Sequence, residues 1–191
     1  MNKINKIKIE DEWEIDELEE MYYEAVELMG QGKIKKAKKI FEEIVAEDNK
    51  NIDAYLGLAI ANKLLNNEEN YHKNIDNAFK ITKEKFKKWP EELTWGYLDN
   101  RPYLRSIAMK AESFWNLNKE KETIELYKLL LKLSPNDNQG IRYLLAALYA
   151  GIDGDDVNYL TDKGNELQDW STLEKLLKKQ NDIYHFWGYN K

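Results

Sequence analysis

Apolar side chains recur along this chain at intervals of three and four residues, a spacing that predicts amphipathic α-helices. Between residues 18 and 51, two such stripes are separated by the turn-forming run Gly30-Gln31-Gly32. The first stripe consists of Leu18, Met21, Ala25, Leu28 and Met29, and the second of Ile34, Ala37, Ile40, Phe41, Ile44 and Val45. Each predicted helix has one apolar face, so the two helices can bury these faces against each other.

A second pair of apolar stripes lies between Leu104 and Asp137 and is the most regular in the chain. It follows Arg101 and Pro102, and a proline is tolerated in the first turn of a helix because the N–H it lacks would have no partner there. The pair ends at Pro135, after which Asp137 can cap the next helix.

These two units resemble the tetratricopeptide repeat, a unit of 34 residues that forms a helix-turn-helix. The resemblance is carried by small Ala37 and aromatic Phe41 in one unit, and by Tyr127 and Pro135 in the other. Small residues let two helix backbones approach, and the aromatic ring fills the remaining space. The resemblance implies an all-α fold, a right-handed superhelical stack of about four antiparallel helix pairs.

The predicted organisation is one domain spanning residues 1–191. Its parts are a first repeat (18–51), an irregular second repeat (52–88), a connection (89–100), a third repeat (101–137), a fourth repeat (138–168), and a capping helix with an aromatic tail (169–191).

A narrower resemblance lies in the C-terminal half. The runs Trp95-Gly96, Arg101 to Arg105 and Leu133 to Leu145 are similar to the WG…RPYLR…PNDNQGIRYLL signature of a largely uncharacterised, mostly bacterial group of repeat proteins. Some members of that group carry a Cys-rich zinc-binding tail, which this chain, without cysteine, cannot form. Residues of the combined repeat signature are Ala37, Phe41, Arg101, Pro102, Tyr127, Pro135 and Asp137.

Composition narrows the classes of function. The 191 residues include 29 Lys+Arg and 35 Asp+Glu, giving a formal net charge of −6, which disfavours a nucleic-acid partner. With 42% hydrophobic residues, the chain is too apolar for a disordered protein. With 34% charged residues, it is too charged for a membrane protein. Zero cysteines exclude disulfides and thiol catalysis, and the two histidines lie far apart, so we expect no metal and no cofactor. No export signal is visible, and we expect a cytoplasmic protein.

In this repeat class the first helix of each pair lines a concave surface. The residues that the resemblance places there, as candidates for binding a ligand, are Arg105, Trp115, Gln139, Arg142 and Tyr149. Because a guanidinium group can hold a carboxylate through two hydrogen bonds, we expect an acidic or extended peptide of another protein as the ligand. The predicted function is a non-enzymatic protein–protein interaction module.

Three alternatives stay open. Arg101, Arg105 and Arg142 could be structural, paired with Asp99, Glu112, Asp137 or nearby carbonyl groups, because buried charges require partners. The aromatic run from Tyr184 to Tyr189 could seal the last helix pair or mediate self-assembly into a homo-oligomer. An enzyme or small-molecule sensor, with a pocket around Trp95, Tyr97 and Arg101, is the least favoured function.

Overall fold

The computed structural model describes residues 17–188, and over this range the fold is all-α, as predicted. It comprises nine α-helices and one short 3-10 helix, with no strand between residues 17 and 188. The α-helices are α1 (Glu17–Gly30), α2 (Ile34–Glu47), α3 (Ile52–Leu64), α4 (Glu68–Lys85), α5 (Arg101–Asn116), α6 (Glu120–Leu133), α7 (Ile141–Tyr149), α8 (Gly154–Leu167) and α9 (Ser171–Tyr184); the 3-10 helix is Leu98–Asn100. Tyr189, the last residue of the predicted aromatic tail, lies outside the described residues.

Side-chain caps fix where several helices begin. The Asn51 side chain accepts a hydrogen bond from the Ala54 N–H at 2.9 Å and so starts α3. The buried Asp137 carboxylate accepts from the N–H groups of Ile141 and Arg142, at 2.7 and 3.0 Å, and so starts α7. These caps satisfy N–H groups that have no partner inside their helices.

Helices that follow each other in sequence pack against each other from α1 to α9. In addition, α3 contacts both α1 and α5, so these three helices lie side by side. Ala25, Ala37 and Phe41 are buried between α1, α2 and α3, where the small side chains allow close approach. This arrangement is consistent with a stack of helices.

The connection between α4 and α5 is anchored to the main core. Trp89 and Trp95 pack, half-buried, against the core of α5, α6 and α7. The Leu93 N–H donates to the Leu133 carbonyl at 2.6 Å, which ties the connection to the end of α6. The Arg101 side chain donates to the Trp95 carbonyl at 3.1 Å and lies 5.3 Å from the Trp95 ring centre.

The longest helix, α4, has 18 residues and is rich in charged side chains. Across the part of the chain that the structure describes, no helix is both long and apolar enough to span a bilayer.

Candidate binding groove

Two adjoining cavities form a groove that runs across α1, α3, α5 and α7. The α1–α3–α5 cavity has a volume of about 420 Å³ and the α3–α5–α7 cavity about 430 Å³. The two cavities share Ala108, Met109 and Gln139 in their walls and are therefore continuous. The α1–α3–α5 cavity is lined by Tyr22, Val26, Met29, Phe41, Asp53, Leu56, Gly57, Ile60, Arg105, Ala108, Met109 and Gln139.

The wall of the α1–α3–α5 cavity is mostly apolar and partly open to solvent. Val26 on α1 and Ile60 on α3 are 45% and 44% exposed. At Gly57, α3 comes so close to α2 that an added Cβ would lie 2.6 Å from the Phe41 ring. A contiguous apolar surface of this kind marks a site where another molecule can bury its own apolar side chain.

An ion pair between α3 and α5 lies at the edge of this apolar wall. Arg105 Nη2 donates to Asp53 Oδ1 at 2.8 Å. Burial raises the pKa of Asp53, and the Arg105 guanidinium opposes that shift. Arg105 Nε is buried, and residues 17–188 offer it no hydrogen-bond partner. Because a guanidinium has five N–H donors, Arg105 retains donors for a further acceptor.

The α3–α5–α7 cavity has a more polar wall. Lys63 Nζ on α3 lies 3.3 Å from Glu112 Oε1 on α5, and both side chains are about half exposed. Trp115 packs edge-on against the buried Tyr127, with ring centres 6.2 Å apart. Burial raises the pKa of Tyr127, and the negative charge of Glu112 adds to this rise, so the phenol stays neutral.

The structure brings three of the five candidate binding residues to the groove. Arg105 lines the α1–α3–α5 cavity, Trp115 lines the α3–α5–α7 cavity, and Gln139 lines both. Arg142 and Tyr149 lie instead against the C-terminal tail, and the residues that α7 contributes to the groove are Ile141 and Leu144.

Arg142 is the centre of a polar network. Its Nη1 donates to the Asp137 carboxylate at 2.9 Å and its Nη2 to the Tyr143 hydroxyl at 2.9 Å. The Tyr143 hydroxyl in turn donates to Glu174 on α9. Burial raises the pKa of Asp137, while its hydrogen bonds to Arg142 and Ile141 oppose that rise. Arg142 therefore joins the start of α7 to α9, which is the structural role considered from the sequence.

Tyr149 is covered by the end of the chain. Its ring stacks on Tyr184, with centres 4.0 Å apart and planes 9° apart, and Phe186 packs 5.4 Å away. Asn181 holds the tail in place, since its Nδ2 donates to the Trp187 carbonyl and its Oδ1 accepts from the Trp187 N–H, both at 2.7 Å.

Replacing Asn181 with alanine should therefore release the tail. Loss of both hydrogen bonds should reduce the free energy of unfolding by about 1–2 kcal/mol and speed hydrogen exchange at the Trp187 amide, measured by NMR. Asp182→Ala is the matched control, because this exposed neighbour makes no hydrogen bond to the tail within residues 17–188 and should leave the protection of that amide unchanged. An unchanged hydrogen-exchange rate of the Trp187 amide in the alanine variant would show that Asn181 does not hold the tail in place.

Sequence reasoning did not single out Asp53, the partner of Arg105. A signal was present, because Asp53 and Gln139 each follow by one residue the start of a predicted repeat, and Arg105 directly follows Leu104, where the apolar stripes of the third repeat begin. Equivalent positions in neighbouring repeats lie side by side, so opposite charges at such positions predict a cross-helix ion pair. All three side chains line the groove.

Comparisons with protein-family models, curated proteins and solved structures gave no significant match. As for metals, residues 17–188 contain no cluster of three or more His, Asp or Glu side chains arranged to hold an ion.

Proposed function

We propose that this chain is a tetratricopeptide-like module built as a right-handed superhelical stack of about four antiparallel helix pairs. The sequential packing of α1 to α9, and the contacts of α3 with both α1 and α5, support this arrangement.

We further propose a non-enzymatic function in the cytoplasm, in which the groove holds an extended segment of another protein. One observation carries this proposal: the α1–α3–α5 cavity joins exposed apolar side chains to Arg105, whose side chain is 40% exposed and hydrogen-bonds Asp53 through Nη2, which leaves Nη1 for a ligand. Burial of apolar side chains supplies most of the free energy of such complexes, and a charge-assisted hydrogen bond fixes the orientation of the bound segment.

The charges around the groove indicate which kind of peptide segment would bind best. Acidic side chains along the two cavities outnumber basic ones, since Asp53, Glu112, Asp153 and Asp155 face Lys63 and Arg105. A long acidic run would meet repulsion beyond Arg105. The segment that fits best has apolar anchor residues for the Val26–Ile60 wall and one carboxylate for Arg105.

Selection from a displayed peptide library tests this function. The intact chain should enrich peptides that combine apolar residues with one Asp or Glu, and Arg105→Gln should weaken their binding by about tenfold through loss of a charge-assisted hydrogen bond. Arg101→Gln is the matched control, because Arg101 lies against Trp95 and should leave the affinity unchanged.

Circular dichroism should show equal helix content in both variants. If no peptide is enriched, or if Arg101→Gln and Arg105→Gln weaken binding equally, the groove is not the binding site.

Self-assembly is a second candidate function, because α8, α9 and the turn between them expose several large apolar side chains. These residues are Tyr159, Leu167, Trp170, Ile183 and Tyr184. If they form a contact between copies, light scattering should detect a dimer or larger species, and Ile183→Glu should return it to a monomer. A monomeric intact chain at all accessible concentrations removes this candidate.

A further inference from the structure

A third cavity lies outside the groove, between α6 and the C-terminal tail. Its volume is about 420 Å³. Lys128 and Lys132 on α6 form one side, and His185, Phe186 and Trp187 of the tail form the other. None of its lining residues lines either cavity of the groove.

The cavity has a local excess of positive charge in a chain whose formal net charge is −6. Lys128 and Lys132 are four residues apart on α6, so they lie on the same face and repel each other. No Asp or Glu between residues 17 and 188 lines this cavity or forms an ion pair with either lysine. An anion bound between the lysines would remove their repulsion.

The tail side of the cavity is held in place by contacts within the chain. Asn181 fixes Trp187 through two backbone hydrogen bonds, and the Arg142 guanidinium lies 5.6 Å from the Trp187 ring centre. Phe186 packs on Tyr149, and Lys128 Nζ lies 5.8 Å from the centre of that same ring. Binding would therefore not require the wall to be ordered first, which reduces the entropic cost.

We propose that this cavity binds a small ligand through a phosphate group, held between Lys128, Lys132 and His185. Lysine ammonium groups act as point charges that attract phosphate, and an imidazole N–H adds a donor. The volume exceeds that of a phosphate ion and has room for the organic part of a small phosphate ester beside Phe186 and Trp187.

The test is an NMR titration of the full chain, at constant ionic strength, with inorganic phosphate, pyrophosphate, adenosine monophosphate and acetate. The phosphate-containing probes should give saturable shifts of the Gly188 amide and the Trp187 indole N–H at concentrations up to about 10 mM. Saturation by inorganic phosphate identifies the free anion as sufficient, whereas saturation by adenosine monophosphate alone identifies a phosphate ester as the ligand.

Substitutions test whether Lys128, Lys132 and His185 bind the phosphate group. The double variant Lys128→Gln/Lys132→Gln should weaken binding by about tenfold or more. Lys35→Gln/Lys39→Gln removes the same charge from two lysines with the same spacing on α2 and should leave the affinity unchanged. His185→Asn, a single change at a position with φ of +51° that asparagine accepts, should also weaken binding.

Three results would overturn the proposal. They are the absence of saturable shifts with every phosphate probe, equal shifts with acetate, and equal weakening by the α2 control. Because Lys128, Lys132 and His185 are exposed, their replacement should not disturb folding, and circular dichroism of each variant checks this.

Discussion

Replacing Tyr127 with alanine should lower the free energy of unfolding by about 3–5 kcal/mol, the cost typical of removing a large aromatic side chain from a core. Tyr127 is 1% exposed and belongs to the core shared by α5, α6 and α7. Its removal would leave a cavity beneath the groove and would also take away the ring on which Trp115 rests. Urea denaturation followed by circular dichroism measures the effect.

Tyr127→Phe separates the contribution of the ring from that of the hydroxyl. The phenylalanine ring preserves the packing, so we expect a loss of less than about 1 kcal/mol. A Tyr127→Ala variant within about 1 kcal/mol of the parent would show that this side chain does not support the stack.

The all-α architecture could be predicted from the sequence because helical periodicity is a local property of the chain. The turn at Gln31 and Gly32, directly after α1, and the proline at the start of α5 lie where the apolar stripes are interrupted. Such signals need no knowledge of which helices meet in space.

The groove could be predicted only in part. In α5, the resemblance places Arg105 and Trp115 on the concave surface, and in the structure both side chains line the cavities. In the next unit the Asp137 cap and Gly140, with φ of +69°, delay the start of α7 to Ile141. With only nine residues, α7 presents Ile141 and Leu144 to the groove.

The contacts of the C-terminal tail could not be predicted from local sequence patterns. The aromatic run after Ile183 predicts either a seal over the last helix pair or a contact with another molecule. Its position depends on the amide of Asn181, which bonds to the backbone at Trp187, and on the Tyr149–Tyr184 stack. Neither Asn181 nor Tyr149 carries a local pattern that identifies its partner.

Phe41→Ala should be as costly as Tyr127→Ala, about 3–5 kcal/mol, because the ring is 1% exposed and packs between α1, α2 and α3. Its contact with Gly57 gives a more specific expectation. In the parent, Gly57→Ala should lower the free energy of unfolding by about 1–3 kcal/mol, since the new Cβ would lie 2.6 Å from the Phe41 ring.

The sign of the Gly57→Ala effect should reverse once the ring is gone. In the Phe41→Ala background the clash is absent, and alanine should stabilise α3 by about 0.5–1 kcal/mol through its higher helix propensity. The four unfolding free energies form a double-mutant cycle, measured by urea denaturation.

Gly30→Ala is the matched control for this cycle, because an added Cβ at Gly30 has no atom within 4 Å. Its effect should be the same with and without the Phe41 ring. If Gly57→Ala also has equal effects in the two backgrounds, to within about 0.5 kcal/mol, then α2 and α3 are not as close as the structure places them. That result would also contradict the apolar wall of the α1–α3–α5 cavity, to which Gly57 and Ile60 belong.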